Sequence, residues 1–191
     1  MTSRIVAIVL AAGQSTRMGE ENKLLLTFND KTMVNYVVEQ LVTSKISSIY
    51  VVTGNDANAV KKSIQAKVNF VNNPEFFKGL STSVKAGIEA LPDDVDGVMI
   101  CLGDMPYITS KNYNDLITAF VDKMIIAPTT NGKIGNPLIF AREYFDDFYA
   151  LDGDKGARKL LKKHPDNIIE VNLNTEAIFQ DIDTPEEYEE I

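Results

Sequence analysis

The most constraining feature of this sequence is an apolar run near its amino terminus that ends abruptly in small residues. The run from Ile5 to Leu10 lacks the polar alternation of a half-exposed strand, and Ala11, Ala12 and Gly13 follow it directly. Such a run suits a strand covered on both faces, and small residues after it let backbone amides approach a ligand closely. We therefore predict a buried strand followed by a ligand-binding loop. A secretory leader is the alternative, and it is disfavoured because the apolar run is only about eight residues long.

Two basic residues follow the loop, and the sequence around them excludes two common phosphate-binding motifs. Arg17 and Lys23 supply positive charge that backbone amides alone lack. A Walker loop needs Lys and then Ser or Thr directly after its second Gly, but Gly19 is followed by Glu20. The dinucleotide fingerprint needs three glycines within six positions, and this segment has only Gly13 and Gly19. The pattern that remains is Leu-x-Ala-Gly-x-x-x-Arg-x-Gly with a downstream Lys.

Composition limits the classes of protein to which the chain can belong. With 191 residues, 45% of them hydrophobic, we expect a single domain over residues 1–191 with one substantial core. No stretch approaches the roughly 20 apolar residues of a membrane span. The single Cys101 fits a reducing compartment, and we expect the cytoplasm. A net charge of -8 argues against nucleic-acid binding, and the lone His164 is better explained by an expected helix end than by catalysis.

Strand and helix patterns alternate along most of the chain. This order predicts a three-layer α/β/α, Rossmann-like fold with a mostly parallel mixed sheet, in which a turn at Asn131-Gly132 adds a hairpin. The predicted strands cover residues 5–10, 49–52, 68–71, 97–102, 125–127, 138–140, 168–171 and 178–182. The predicted helices cover residues 33–42, 56–66, 84–91, 109–121, 142–149 and 156–163, with a last one from 185.

Two acidic motifs fall at predicted strand ends, where open α/β sheets bind their ligands. Asp104 follows the strand at 97–102 and is flanked by Gly and Pro, which suits either a rigidly placed metal ligand or a simple turn residue. Asp181 and Asp183 alternate on the predicted last strand and therefore share a face, so both can point at one cation. Thr184 and the Pro after it then begin a helix as its cap and first residue.

The motifs, taken in order, resemble the molybdopterin nucleotidyltransferase (NTP transferase) family, and the Leu-Ala-Ala-Gly loop is most similar to its molybdenum cofactor cytidylyltransferase branch. The resemblance implies a nucleotidyltransferase sheet and Mg²⁺-dependent transfer of CMP from CTP to molybdopterin, with pyrophosphate released and a molybdenum hydroxylase as client. Because the second pKa of a phosphate monoester is about 6, the acceptor is already largely ionised and needs no protein base. Guanylyl transfer and transfer to a sugar phosphate are alternatives in the same class. A noncatalytic carrier of cofactor or nucleotide is the alternative outside it.

The resemblance also assigns roles on the nucleotide side. Asp104 and Asp183 would hold Mg²⁺, with Asp181 as the alternative second ligand, and Arg17, Lys23 and Asp104 would be catalytic. Ala12 stands where the guanylyltransferase branch usually has a second Gly, which leaves less room for a purine. Ser83 also suits a helix start by capping alone. The implied nucleotide-binding residues are Leu10, Ala11, Ala12, Gly13, Arg17, Lys23, Asn73, Gly79, Ser83 and Asp104.

The acceptor side is implied in the last third of the chain. Asn136 departs from the His of the family's Gly-His-Pro, which leaves the identity of the acceptor open. Glycines that open a helix, with Arg158 just inside it, would seat a phosphate monoester, although loop and cap roles explain the same residues. The implied acceptor-binding residues are Gly135, Asn136, Pro137, Gly153, Asp154, Gly156 and Arg158.

Overall fold

An eight-stranded, mostly parallel sheet organises the chain in a computed structural model that describes residues 3–15 and 21–189. The strands run in the order β10-β7-β9-β6-β1-β4-β5, with β8 paired to β7, and a separate ribbon joins β2 to β3. The strands are β1 (Ile5–Ala11), β2 (Thr27–Phe28), β3 (Lys31–Thr32), β4 (Ser48–Thr53), β5 (Asn69–Asn72), β6 (Gly97–Leu102), β7 (Ile125–Thr130), β8 (Lys133–Ile134), β9 (Leu138–Ala141) and β10 (Ile168–Asn172).

The sheet is parallel except where the predicted hairpin enters it. Strand β1 pairs in parallel with β4 on one side and β6 on the other, while β9 runs antiparallel to both β6 and β7. The hairpin turn has left-handed φ values of 53° at Asn131 and 72° at Gly132, as a two-residue turn of this type requires. The predicted mixed sheet is confirmed.

Helices cover both faces of the sheet, as the predicted three layers require. On β1, Ala7 and Val9 pack into one cluster and Val6 and Ile8 into another, because successive side chains point to opposite faces. The first cluster includes residues of α1, α2 and α4, and the second includes α3 and two 3-10 helices. The α-helices are α1 (Met33–Val42), α2 (Ala57–Ser63), α3 (Leu80–Glu89), α4 (Ser110–Thr118) and α5 (Pro185–Glu189), and the longer 3-10 helices are Arg142–Ala150 and Ala157–Lys162.

Helix starts follow the sequence in one case and depart from it in another. Thr109 caps α4 in a reciprocal pair with Asn112, as its residue type predicts. Asp56 precedes α2 in a left-handed conformation and its side chain makes no capping bond. Its carboxylate instead accepts hydrogen bonds from Asn55 Nδ2 at 2.8 Å and Asn22 Nδ2 at 3.3 Å. Tertiary contacts outcompete the local cap at this position.

The carboxyl-terminal third differs most from expectation. The predicted strand at 178–182 is wrong, because a 3-10 helix at Glu176–Phe179 and irregular chain stand there. The two helices predicted at 142–149 and 156–163 are 3-10 helices. Within the described ranges, no helix combines the length and the apolar character needed to cross a membrane.

Candidate functional site

A cleft of about 490 Å³ opens at the carboxyl ends of β1 and β6. The chain leaves β1 towards β4 on one side, while β6 lies on the other, so this is where connections diverge and ligands of open α/β sheets bind. The cleft brings together residues predicted from distant parts of the sequence. Those that line it are Leu10, Ala12, Gly13, Lys23, Gly79, Ser83, Asp104, Asp154 and Asp183.

Lys23 is fixed at the cleft by the short 3-10 helix that it begins. Asn22 caps this helix, since its Oδ1 accepts a hydrogen bond from the Leu24 amide at 3.1 Å, and Ser15 Oγ accepts one from the Lys23 amide at 3.2 Å. The Lys23 ammonium donates to Asp104 Oδ2 and to Asp183 Oδ1. The Lys23 ammonium is therefore held between Asp104 and Asp183, the two predicted metal ligands.

The surroundings of Lys23 favour its charged form. Burial by itself lowers the pKa of the ammonium, but the charges and hydrogen bonds of Asp104 and Asp183 outweigh burial and raise the pKa above its ordinary value. Lys23 is therefore positively charged at neutral pH and can bind phosphate.

Three carboxylates meet beside Lys23. One oxygen each of Asp104, Asp181 and Asp183 lies within 4.8 Å of the others. Burial, followed by the negative charges of Asp104 and Asp183, raises the pKa of Asp181. Asp104 Oδ1 is buried and has no hydrogen-bond partner among the described residues. A buried carboxylate oxygen left unpaired is costly, and an all-oxygen donor set is what a hard divalent cation prefers, so these residues fit a metal ion.

A backbone contact, in place of strand alternation, delivers Asp181 and Asp183 to this cluster. The Ile182 amide donates to the Asp104 carbonyl at 3.0 Å, and the Ile182 side chain is buried beside α1. Glu187 Oε2 accepts from the amides of Asp183 at 2.7 Å and Thr184 at 3.0 Å, which anchors the segment to α5. The expectation that Asp181 and Asp183 face one cation relied on a strand at 178–182 that does not form. Their carboxylates nevertheless converge.

Backbone hydrogen bonds fix the end of β1 and the residue that directly follows it. The Gly103 amide donates to the Leu10 carbonyl at 3.1 Å, and the Asn55 amide donates to the Ala12 carbonyl at 3.2 Å. Among the described residues, no atom lies within 4 Å of a Cβ added to Gly13, and Gly13 lines the cleft. Ala11 is buried in the first core cluster, away from the cleft lining. Arg17 lies outside the described residues, and its role stays a prediction.

A buried polar network supports the cleft wall around α3. Asn73 Nδ2 donates to Thr82 Oγ1 at 2.9 Å and to Ser83 Oγ at 3.0 Å, while Asn73 Oδ1 accepts from the Glu75 amide at 2.9 Å. Gly79, at φ 111°, precedes α3, so capping does not explain Ser83. Ser83 and Gly79 line the cleft, whereas Asn73 fixes the segment between them from behind.

The predicted acceptor residues divide between two places. Asp154 lines the main cleft. Gly153 packs closely on Gly79, since a Cβ added to Gly79 would lie 2.5 Å from the carbonyl carbon of Gly153. Asn136, Gly156 and Arg158 line a second cavity of about 140 Å³, which shares Leu10, Leu80 and Leu102 with the cleft.

Several residues singled out in the sequence also make contacts that hold the local structure. Gly135 lies against Ile178, whose carbonyl oxygen would be 2.4 Å from a Cβ added to Gly135, and a cis peptide bond joins Asn136 to Pro137. Arg158 is the second residue of its 3-10 helix and donates to the Ile134 carbonyl. His164 lies outside the cleft lining and pairs with Asp147 at 2.5 Å, beyond the simple helix-end role predicted for it.

Sequence reasoning missed residues that carry or complete the site. Asn22 is a capping residue type directly before Lys23, and this signal could have identified it. Phe76 and Phe77 line the cleft, but nothing in the sequence separates an aromatic residue of a cleft from one of the core.

Comparison with known proteins places this site in a family context. The model of the MobA-like NTP transferase domain matches residues 7–168. The purine catabolism protein PucB of Bacillus subtilis is 27% identical, covering 97% of this chain and 94% of that protein. The molybdenum cofactor cytidylyltransferase of Escherichia coli is 28% identical with the same coverage of 97% and 94%.

Solved structures agree on the fold. The Mycobacterium sp. homologue of Mycobacterium tuberculosis Rv0371c has a TM-score of 0.87 at 26% identity, covering 100% of this chain and 96% of that one. Rv0371c in complex with manganese has a TM-score of 0.85 at 23% identity, covering 98% and 97%.

Proposed function

The chain belongs to the MobA-like NTP transferase family, and from this premise we propose that it transfers CMP from CTP to the terminal phosphate of molybdopterin. The products are the cytosine dinucleotide form of the cofactor and pyrophosphate. A nearly full-length relative that is a molybdenum cofactor cytidylyltransferase supports this choice of substrates. In this proposal the enzyme is cytoplasmic and its product serves a molybdenum hydroxylase.

The observation that carries the proposal is the carboxylate cluster beside Lys23. Asp104 and Asp183 would hold Mg²⁺, with Asp181 close enough to assist. Bound there, the ion would supply positive charge to the oxygens of the triphosphate. The manganese complex of Rv0371c supports a divalent ion in this class of protein.

Lys23 would change partners on nucleotide binding. Its ammonium pairs with Asp104 and Asp183 in this structure, and these same two carboxylates would hold the metal ion. The Lys23 ammonium would then bind the triphosphate and stabilise the leaving pyrophosphate, assisted by Arg17 and by the amides of the loop after β1.

The acceptor needs positioning more than activation. Its phosphate is already largely ionised, because the second pKa of a phosphate monoester is about 6. In this proposal Arg158 and Asn136, which line the second cavity, hold it for in-line attack on the α-phosphate. A phosphate oxygen forms the new bond to the α-phosphorus as the bond to pyrophosphate breaks.

The choice of cytosine rests on the loop after β1. Ala12 is 2% exposed and lines the cleft, so its methyl group occupies space that a Gly at the same position leaves free. A smaller pyrimidine ring fits this loop better than a purine does.

A pyrophosphate-release assay with CTP, GTP, ATP and UTP, with Mg²⁺ and with or without molybdopterin, tests the proposal. We expect release with CTP only when molybdopterin is present. If GTP is the only one of the four nucleotides that supports release, the protein is a guanylyltransferase. If a sugar phosphate supports release in place of molybdopterin, the acceptor is a sugar phosphate. No release with any combination would favour a noncatalytic carrier.

A further inference from the structure

One exposed aromatic side chain stands in the wall of the cleft. Among the described residues, the exposed large hydrophobic side chains include Phe77, which is 62% exposed, more than any other of them. It is also the only one of these that lines the cleft. A single exposed apolar residue is ordinary on a protein surface, but here it faces a space that a ligand fills.

The Phe77 ring is mounted on a rigid segment. Its neighbour Phe76 packs closely against the backbone of Gly54, since a Cβ added to Gly54 would lie 2.6 Å from Phe76 Cβ. The buried Asn73 side chain holds the Glu75 amide at 2.9 Å, and Thr82 Oγ1 donates to the Glu75 carbonyl at 3.1 Å. The backbone that carries the ring is therefore already ordered, and a ligand that covers the ring does not have to order it.

The position of Phe77 separates it from the phosphate end of the cleft. Gly54 follows β4, on one side of β1, whereas Asp104 follows β6, on the other side. The second cavity, which holds Asn136 and Arg158, is lined by Ile100 of β6 and Leu138 of β9 and so lies on the Asp104 side. The proposed reaction involves two flat ring systems, the base of the nucleotide and the pterin of the acceptor. The base is therefore the one that lies towards Phe77.

We infer that the Phe77 ring stacks on the base of the bound nucleoside triphosphate, an inference that rests on the proposed nucleotidyl transfer. Every base has a π-face, so stacking adds affinity with little preference among bases. In this division of roles Phe77 holds the base, and Ala12 limits its size. Phe77 is thus a positioning residue for the nucleotide.

Nucleotide binding to the full chain tests the inference directly. Calorimetry would compare CTP with inorganic tripolyphosphate, which has no base, for the wild type, Phe77→Ala and Phe77→Leu. We expect both variants to bind CTP roughly tenfold more weakly, since base–aromatic stacking has about this magnitude, and to bind tripolyphosphate as the wild type does. The upfield NMR shift of the cytosine ring protons on binding should disappear in Phe77→Leu, which keeps an apolar side chain without the aromatic ring.

Phe70 provides the matched control. Phe70 is also exposed, and the Lys61 ammonium lies 5.9 Å from the centre of its ring, much as the Lys78 ammonium lies 6.0 Å from the centre of the Phe77 ring. Unlike Phe77, Phe70 does not line the cleft. Phe70→Ala should bind CTP as the wild type does. Equal thermal unfolding of the variants shows that the comparison is made between folded proteins.

The outcomes separate this inference from the proposed function. Unchanged CTP binding in Phe77→Ala, or equal losses for CTP and tripolyphosphate, would overturn the stacking. If the wild type prefers another triphosphate, the choice of CTP is wrong, and a loss of that nucleotide's affinity in Phe77→Ala would still support the stacking. If none of the four nucleotides binds, both the proposed function and the stacking are wrong.

Discussion

The phosphate end and the acceptor end of the proposed site are built in different ways. The phosphate end follows parallel strands in register, where Leu10 of β1 lies opposite Leu102 of β6, and Asp104 comes two residues later. The acceptor end stands on the 3-10 helices Arg142–Ala150 and Ala157–Lys162 and the turn before β9. Backbone hydrogen bonds of the sheet therefore fix the first end.

Side-chain contacts hold the second end. Asp147, on the first 3-10 helix, pairs with both Lys163 and His164, which follow the second one. Arg158 donates to the carbonyl of Ile134 in β8. The comparison teaches that substitutions at the phosphate end should affect chemistry with the fold intact, whereas those at the acceptor end should affect substrate binding or local stability.

The largest effect is expected from Asp104→Asn. Removing one electrostatic stabiliser of a transition state costs on the order of 10²–10³ in kcat, and this change also removes a proposed metal ligand, so we expect a loss of more than about 10³-fold. Pyrophosphate release titrated with Mg²⁺ measures it, and circular dichroism checks the fold. Asp93→Asn, at an exposed carboxylate, is the control. Unchanged Mg²⁺ dependence would exclude Asp104 as a ligand.

Removing the charge of Lys23 should lower turnover and strengthen metal binding at once. Lys23→Ala should raise the barrier by about 2.7–4 kcal/mol, as for other charge-stabilising groups. Without nucleotide, Lys23→Met should bind Mn²⁺ at least about tenfold more tightly, because unit charges about 4 Å apart repel by about 4 kcal/mol at an effective dielectric constant near 20. Electron paramagnetic resonance measures the free Mn²⁺.

The exposed Lys111, which pairs with Asp115, provides the control for Lys23. Lys111→Met should change neither turnover nor Mn²⁺ affinity. Near-wild-type turnover in Lys23→Ala would refute its catalytic role, and weaker Mn²⁺ binding in Lys23→Met would refute the exchange of partners.

A smaller effect is expected at the acceptor end from Arg158→Ala. Loss of a hydrogen bond to a charged group costs about 1.5–3 kcal/mol, so the KM for molybdopterin should rise at least about tenfold. The KM for CTP should stay the same. Steady-state kinetics with each substrate varied in turn measures both values, and Lys159→Ala, at the adjacent exposed residue, is the control. A rise in the KM for CTP alone would move Arg158 to the nucleotide side.

The smallest effect is a pH-dependent change in stability from Asp147→Asn. Burial tends to raise the pKa of Asp147, but hydrogen bonds and charges of Lys163 and His164 more than offset it and lower the pKa below its ordinary value of 3.8. The stabilisation is therefore present above that value and is lost as the pH falls through the lowered pKa.

Denaturant unfolding at two pH values measures this contribution. Asp147→Asn should lower the free energy of unfolding by about 1 kcal/mol near pH 6 and by less near pH 2.5. Asp146→Asn, at the exposed neighbour, should show no such difference. Equal destabilisation by Asp147→Asn at both pH values would contradict the ion pair.

Prediction from sequence succeeded where local chemistry decides the structure. The run at Ile5–Ala11 forms the central strand, and the turn at Asn131 and Gly132 forms the hairpin, because burial and left-handed φ values are read from residue types. Prediction failed at 178–182, where Ile178 and Ile182 are buried although the segment has no partner strand. Whether a segment forms a strand depends on the neighbouring strand with which it can pair, and the residue pattern of one segment does not identify that neighbour.

The sequence by itself determined the family, the α/β class and the residue types of the site, since the apolar runs, small loop residues and acidic motifs are local signals. Only the tertiary structure decided that Lys23 lies between Asp104 and Asp183, because that contact joins residues 81 and 160 positions apart. Phe76 and Phe77 both line the cleft, and only the fold showed that Phe76 packs on Gly54 while Phe77 stays exposed. The physical reason is that distance and burial arise when segments pack together, and neither is a property of any one segment.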